Sequence, residues 1–133
     1  MKIAYFDCFA GAGGDMIVAS MIDAGLDPQF LLDQLASLEL PHIDITIEKT
    51  KRGGICATRF CPKQTHEHHH RHLSDIEKII QKSRLRESVK GKAIAIFRRL
   101  GAAEAAIHQV DIEQIHFHEV GAVDSILDIV SSC

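Results

Sequence analysis

Nine histidines stand beside one tyrosine and no tryptophan in this chain of 133 residues, and they are unevenly placed. His66, His68, His69, His70 and His72 crowd into Thr65–His72. Neutral imidazoles at that density capture Ni²⁺, Cu²⁺ or Zn²⁺, with little selectivity from affinity alone. His66-Glu67-His68-His69-His70 also fits H-E-x-x-H. Zincin chemistry, however, needs a stable helix to bring His66 and His70 together, and Pro62 and Thr65 upstream, with no apolar face, argue against one. The plain alternative is a polar loop that binds metal incidentally.

A second set lies in Ile115-His116-Phe117-His118-Glu119-Val120-Gly121-Ala122-Val123-Asp124. On a strand, His116 and His118 share a face about 6.6 Å apart, at ~3.3 Å per residue. Asp124 and Asp128, four apart, share one face of the helix that follows. His116, His118 and a carboxylate from Glu119 or Asp124 make a His₂-carboxylate set for a divalent metal. The alternative has His118 packed at the strand end and Asp124 capping; His42 and His108 read as surface residues. A third set is Asp7-Cys8-Phe9-Ala10-Gly11-Ala12-Gly13-Gly14-Asp15. Its glycines can turn successive N–H groups toward one anion at a helix N-terminus, which makes Gly11, Gly13, Gly14 and Asp15 candidate cofactor-binding residues. It is neither a Walker loop nor a good dinucleotide fingerprint. Asp7 and Asp15 repel a bare phosphate but suit a phosphate carrying a divalent cation, or a metal alone. The alternative is a glycine-lined turn with Asp15 as a helix cap.

The elements that must position these groups can be read along the chain. Lys2–Cys8 reads as a buried strand, and Asp15 caps a helix to Ala24 that Gly25 ends. Asp27-Pro28 opens a second helix, with Phe30, Leu31, Leu35 and Leu38 at helical spacing until Pro41. Ile43, Ile45 and Ile47 alternate with polar residues, Gly53-Gly54 turns the chain, and Ile55–Cys61 returns as a hairpin partner. Residues 63–73 form a disordered His-rich loop. Ser74, with Glu77 at the capping-box position, starts a helix over Asp75–Lys82. Glu87–Val110 is a longer helix with a weak spot at Gly101. Gln114–Val120 is a strand, Gly121-Ala122 a turn and Asp124–Val130 a helix. Two strand–Gly turn–helix corners thus echo each other. The expected fold is a mixed α/β or α+β sandwich of a small sheet with helices, its ligands held where strands end and helices begin.

Composition narrows the function. The chain is 46% hydrophobic and 25% charged, with 15 basic and 18 acidic residues and a formal charge of −3. That balance excludes wholesale disorder and argues against a nucleic-acid partner. Arg98, Arg99 and Glu104 interrupt the apolar stretch Ala93–Ile107, so it is no membrane span, and Asp7 spoils any secretory h-region. Cys8, Cys56, Cys61 and Cys133 form no CxxC pair, so zinc ribbons and disulfide frameworks are improbable. The expectation is one cytoplasmic domain, assembling as a homo-oligomer.

FDCFAGAGGDM, the His-rich run leading into HRHLSDIEKII, and IHFHEVGAVDSILDIV together resemble the LarC family, the nickel-insertion proteins of the nickel-pincer nucleotide cofactor. The resemblance covers essentially the whole chain. It implies insertion of Ni²⁺ into pyridinium-3,5-bisthiocarboxylic acid mononucleotide, with one carbon–nickel and two sulfur–nickel bonds formed, for enzymes of the lactate racemase type. It also implies a lyase-class nickel chelatase coupled to CTP hydrolysis with Mn²⁺ or Mg²⁺. The family's CTP-binding C-terminal domain is expected to be missing from this chain, leaving an N-terminal, metal-gathering part.

In that reading the metal ligands come from His66, His68, His69, His70, His72, Asp7, His116, His118 and Asp124. Loss of the pyridinium C4 proton calls for a base, for which His116, His118 and Glu119 are the candidates. Two other readings compete: a nickel or zinc storage and delivery module without turnover, and a metal-dependent phosphoryl-transfer enzyme using Asp7, Asp15 and Asp124. No nucleophile stands out for the latter.

Overall fold

A computed structural model of the chain describes residues 3–41, 43–64, 71–117 and 123–133. The fold is mixed α/β: the described residues form five helices and two small antiparallel sheets of two strands each. Helix α1 (Gly14–Asp23) ends at Gly25, which takes φ +106°, and α2 (Pro28–Ala36) starts on Asp27, whose carboxylate accepts from the Gln29 N–H at 3.0 Å. Strands β1 (Ile43–Arg52) and β2 (Ile55–Gln64) form the expected hairpin, in register from Ile43 opposite Gln64 to Arg52 opposite Ile55. Gly53 and Gly54 both have positive φ, as a two-residue turn matched to the strand twist requires. The hairpin is tied to α1 by Asp23, which accepts from the Thr58 hydroxyl at 2.6 Å and from the Lys49 ammonium. These bonds, Lys49 foremost, hold the Asp23 carboxyl down to about 2.

After β3 (Arg71–His72) come α3 (Leu73–Lys82) and the long α4 (Glu87–His108), then a 3₁₀ turn (Ile112–Gln114), β4 (His116–Phe117) and α5 (Val123–Ser132). Amphipathic helices share one core. Ile76 and Ile80 of α3, Ala93 and Phe97 of α4, and Val123, Ile126 and Leu127 of α5 are buried with Val18, Leu35 and Phe60. Gly101, the expected weak spot, is buried within α4, where an added Cβ would lie 3.4 Å from side-chain atoms of Leu73, Ile112 and Phe117. Among the described residues no helix is long and apolar enough to cross a membrane.

Several local expectations need correction. Of the strand expected over Lys2–Cys8, residues 3–8 are not a strand: among the described residues they belong to neither sheet, and they are exposed. Asp15 is not the cap of α1, since Gly13 holds that position and Asp15 lies two residues on, within the first turn. Helix α3 begins earlier than Ser74: His72 is its N-cap, and its N–H donates to Asp75 at 3.3 Å. Glu77 is instead drawn to Arg98 of α4, at 2.6 Å. Gln109 ends α4 in the left-handed region, one residue short of Val110. Of the strand expected over Gln114–Val120, His116–Phe117 are strand, while Gln114 lies in the 3₁₀ turn, its N–H donating to the Asp111 carbonyl at 2.9 Å; residues 118–120 lie outside the described residues. The flanks expected to belong to the unordered loop, 63–64 and 71–73, lie in β2, β3 and the start of α3.

Candidate functional site

Strands β3 and β4 are only two residues each, yet their pairing sets Arg71 opposite Phe117 and His72 opposite His116. Buried Phe117 anchors β4 by meeting Phe97 edge-on, with ring centroids 6.3 Å apart. The pairing brings the end of the histidine run against the first histidine of the second motif. The two imidazoles lie 3.7 Å apart between centroids, tilted by 45°. His116 is exposed and His72 half-buried. Among the described residues Nδ1 of His72, out of contact with solvent, has no hydrogen-bond partner, whereas a buried ring nitrogen usually has one. Among the described residues no three His, Cys, Asp or Glu side chains stand close enough to hold an ion by themselves.

A second grouping forms where α1 meets α5. The N-terminus of α1 approaches α5 so closely that a Cβ on Gly14 would sit 2.6 Å from Cβ of Asp128. Asp128 is half-buried, and its Oδ1 is shielded from solvent without a hydrogen-bond partner. Burial pushes its carboxyl up to about 6, helped by the charges of Asp15 and Asp124 and opposed by the Asp15 backbone N–H. Asp15 and Asp124 each accept from the next backbone N–H, Met16 and Ser125, at 2.8 Å. Beside this cluster opens a cleft of about 370 Å³, lined by Gly14, Ile17, Ile96, Leu100, Ser125 and Asp128 among others. The two helices of these corners therefore do meet; among the described residues the segments before them are not paired as neighbouring strands.

Comparison with known proteins adds the decisive observation: residues 4–133 match the nickel insertion protein family. The chain belongs to that family. A pyridinium-3,5-bisthiocarboxylic acid mononucleotide nickel insertion protein of Desulfitobacterium hafniense is 52% identical over 132 residues, covering 99% of this chain and 33% of the relative. A putative nickel insertion protein of Geobacter sulfurreducens is 48% identical over 134 residues, 34% of its length. The pyridinium-3,5-bisthiocarboxylic acid mononucleotide nickel insertion protein of Acetivibrio thermocellus is 46% identical over 141 residues, 35% of its length. The chain thus spans about a third of the length of the curated relatives it matches. No solved structure matches it.

For this member of the nickel insertion family, the candidate residues divide by position. His72 and His116 are in contact across a sheet, while Asp15 and Asp124 both act on Asp128. Asp7 lies on the exposed segment before α1, away from any regular element. Gly11, at φ +83° with open space around it, makes a turn whose N–H donates to the Cys8 carbonyl at 2.9 Å. Gly13 caps α1, and Gly14 is the close-contact position against α5. His66, His68, His69, His70, His118 and Glu119, like His42, lie outside the described residues. Sequence reasoning missed Asp128 as the acid that the fold perturbs most among the three. Its spacing from Asp124 was visible, but the backbone approach at Gly14 that buries it was not.

Proposed function

We propose that this chain gathers Ni²⁺ for insertion into pyridinium-3,5-bisthiocarboxylic acid mononucleotide, as the N-terminal part of a CTP-dependent nickel chelatase. The observation that carries the reading is the His72–His116 contact across β3 and β4, which joins the two histidine-bearing motifs at one point. In this reading His66, His68, His69 and His70 collect the ion, and His72 and His116 receive it, with His118 or Glu119 completing the ligand set. Nickel is the substrate here. When it binds the pyridinium ring, the C4–H bond breaks, its electron pair forms the carbon–nickel bond and the proton passes to a base. His116, His118 and Glu119 are the residues proposed for that proton. The carboxylates Asp7, Asp15 and Asp124, with the glycines Gly11, Gly13 and Gly14, are proposed to face the nucleotide phosphate through a divalent cation. CTP with Mn²⁺ or Mg²⁺ is proposed to act through the part of the family's proteins outside the matched third.

The test separates the pair from the run. In a background with His66, His68, His69 and His70 replaced by Ala, calorimetry should detect one remaining Ni²⁺ site. His72→Ala and His116→Ala should each weaken that site by about 10- to 100-fold, the usual cost of disturbing a metal's ligand shell. Nickel affinity unchanged by both substitutions would remove the pair from the pathway. The competing reading, storage and delivery without turnover, is distinguished by incubating the protein with the precursor, Ni²⁺, CTP and Mg²⁺. Nickel recovered in the nucleotide by mass spectrometry favours insertion, and nickel recovered only on the protein favours storage.

A further inference from the structure

Residues 3–9 have the composition of a strand, with Ile3, Tyr5, Phe6 and Phe9 among them, but the surroundings of none. Ile3 is 79% exposed, Tyr5 86% and Phe9 95%. Exposed apolar residues scattered singly are ordinary, whereas a run of them along a segment that joins neither sheet marks an interaction surface. The apolar exposure continues into α1 at Met16, and the cleft at Gly14 adds Ile17, Ile96, Leu100 and Ile129. The root of the segment is fixed, because Gly14 is packed against Asp128.

We infer that residues 3–9 are a strand whose sheet is supplied by the portion of the family's polypeptide lying outside the matched third. Two facts choose that occupant. The relatives are about three times as long as the stretch they share with this chain, so a large body of protein must contact the shared part somewhere. The segment also offers what a sheet edge takes: backbone that joins neither sheet among the described residues, engaged there only at the Cys8 carbonyl by Gly11, with aromatic side chains for the adjoining layer. Tyr and Phe side chains each bury roughly 150–250 Å² when covered, so this short strand can anchor an interface between domains. The inference is independent of the nickel chemistry.

Hydrogen–deuterium exchange tests it. Peptides covering residues 3–9 should exchange at the rate of unstructured backbone in the 133-residue chain. In a chimera where this chain replaces the matched third of the Desulfitobacterium hafniense relative, they should exchange at least about 100-fold more slowly. Tyr5→Lys should leave the melting temperature of the chain alone unchanged and lower that of the chimera. If the chimera does not fold, the aligned segment of the intact Desulfitobacterium hafniense protein is measured instead, and slow exchange is again expected. Fast exchange there or in the chimera overturns the inference. So does concentration-dependent protection in the isolated chain, which would assign the edge to a second copy.

Discussion

A half-buried carboxylate flanked by two others holds its proton, and Asp128 is in that position between Asp15 and Asp124. Its carboxyl is raised from 3.8 to about 6 by burial and by those charges. The folded chain therefore binds this proton more tightly than the unfolded chain does. The stabilisation is fully present below about pH 4 and is lost as the pH rises through about 6. Asp128→Asn keeps the side chain's size and removes the charge. It should stabilise the chain at pH 7 by about 1 kcal/mol, after allowing for solvent screening of a half-exposed group, raising the melting temperature there, and change little at pH 4. Thermal melts of both proteins between pH 4 and 8 would check this; parallel curves would refute it. At this scale the sequence offered residue types but not surroundings. The pairing of Asp124 with Asp128 on one helix face follows from spacing, whereas the unpartnered Nδ1 of His72 depends on a neighbour in another element.

Helices α1 and α5 are held together at one glycine, and two glycines in the chain differ sharply in what a methyl group would meet. At Gly14 the added Cβ runs into Asp128, with 2.6 Å to its Cβ and 3.1 Å to its carbonyl oxygen. At Gly91, exposed in α4, nothing lies within 4 Å. Gly14→Ala should therefore destabilise the chain by about 1–3 kcal/mol, the usual cost of overpacking. Gly91→Ala should stabilise it by up to about 1 kcal/mol through helix propensity. Chemical denaturation of the two variants gives both numbers, and equal effects would show that the α1–α5 contact is not tight. The helices and the β1–β2 hairpin were legible in advance because each carries its own signal: apolar spacing, the Asp27-Pro28 start and the Gly53-Gly54 turn. The β3–β4 pairing was not. Two residues on each side give no periodicity, and what aligns them is the packing of Phe117 beneath α4.

For the molecule as a whole, the class was readable, since hairpin and helix patterns alternate along the chain and the structure is mixed α/β. The strand expected over Lys2–Cys8 is unpaired among the described residues for a whole-molecule reason: an apolar run becomes a strand only where another strand pairs with it. Metal capture belongs to this scale too, since the histidine run and the core answer to different forces. Replacing His66, His68, His69 and His70 by Ala should lower the nickel retained per chain and leave stability within about 0.5 kcal/mol. Metal analysis after gel filtration, with a thermal melt of the same sample, checks both halves. Unchanged nickel content with a lower melting temperature would show that the run serves the fold.

The contact between β3 and β4 has a consequence for the protein's lifetime. His72 and His116 lie on either side of α3 and α4, and only the folded chain makes them neighbours. An ion that holds both rings binds the folded chain and has no equivalent site once the helices come apart. At a hundredfold excess over its dissociation constant, such an ion adds about 2.7 kcal/mol to the folding equilibrium. Empty chains then open more often than loaded ones and meet proteases more often. The amount of protein in a cell would follow its nickel supply, with no sensor beyond the fold itself.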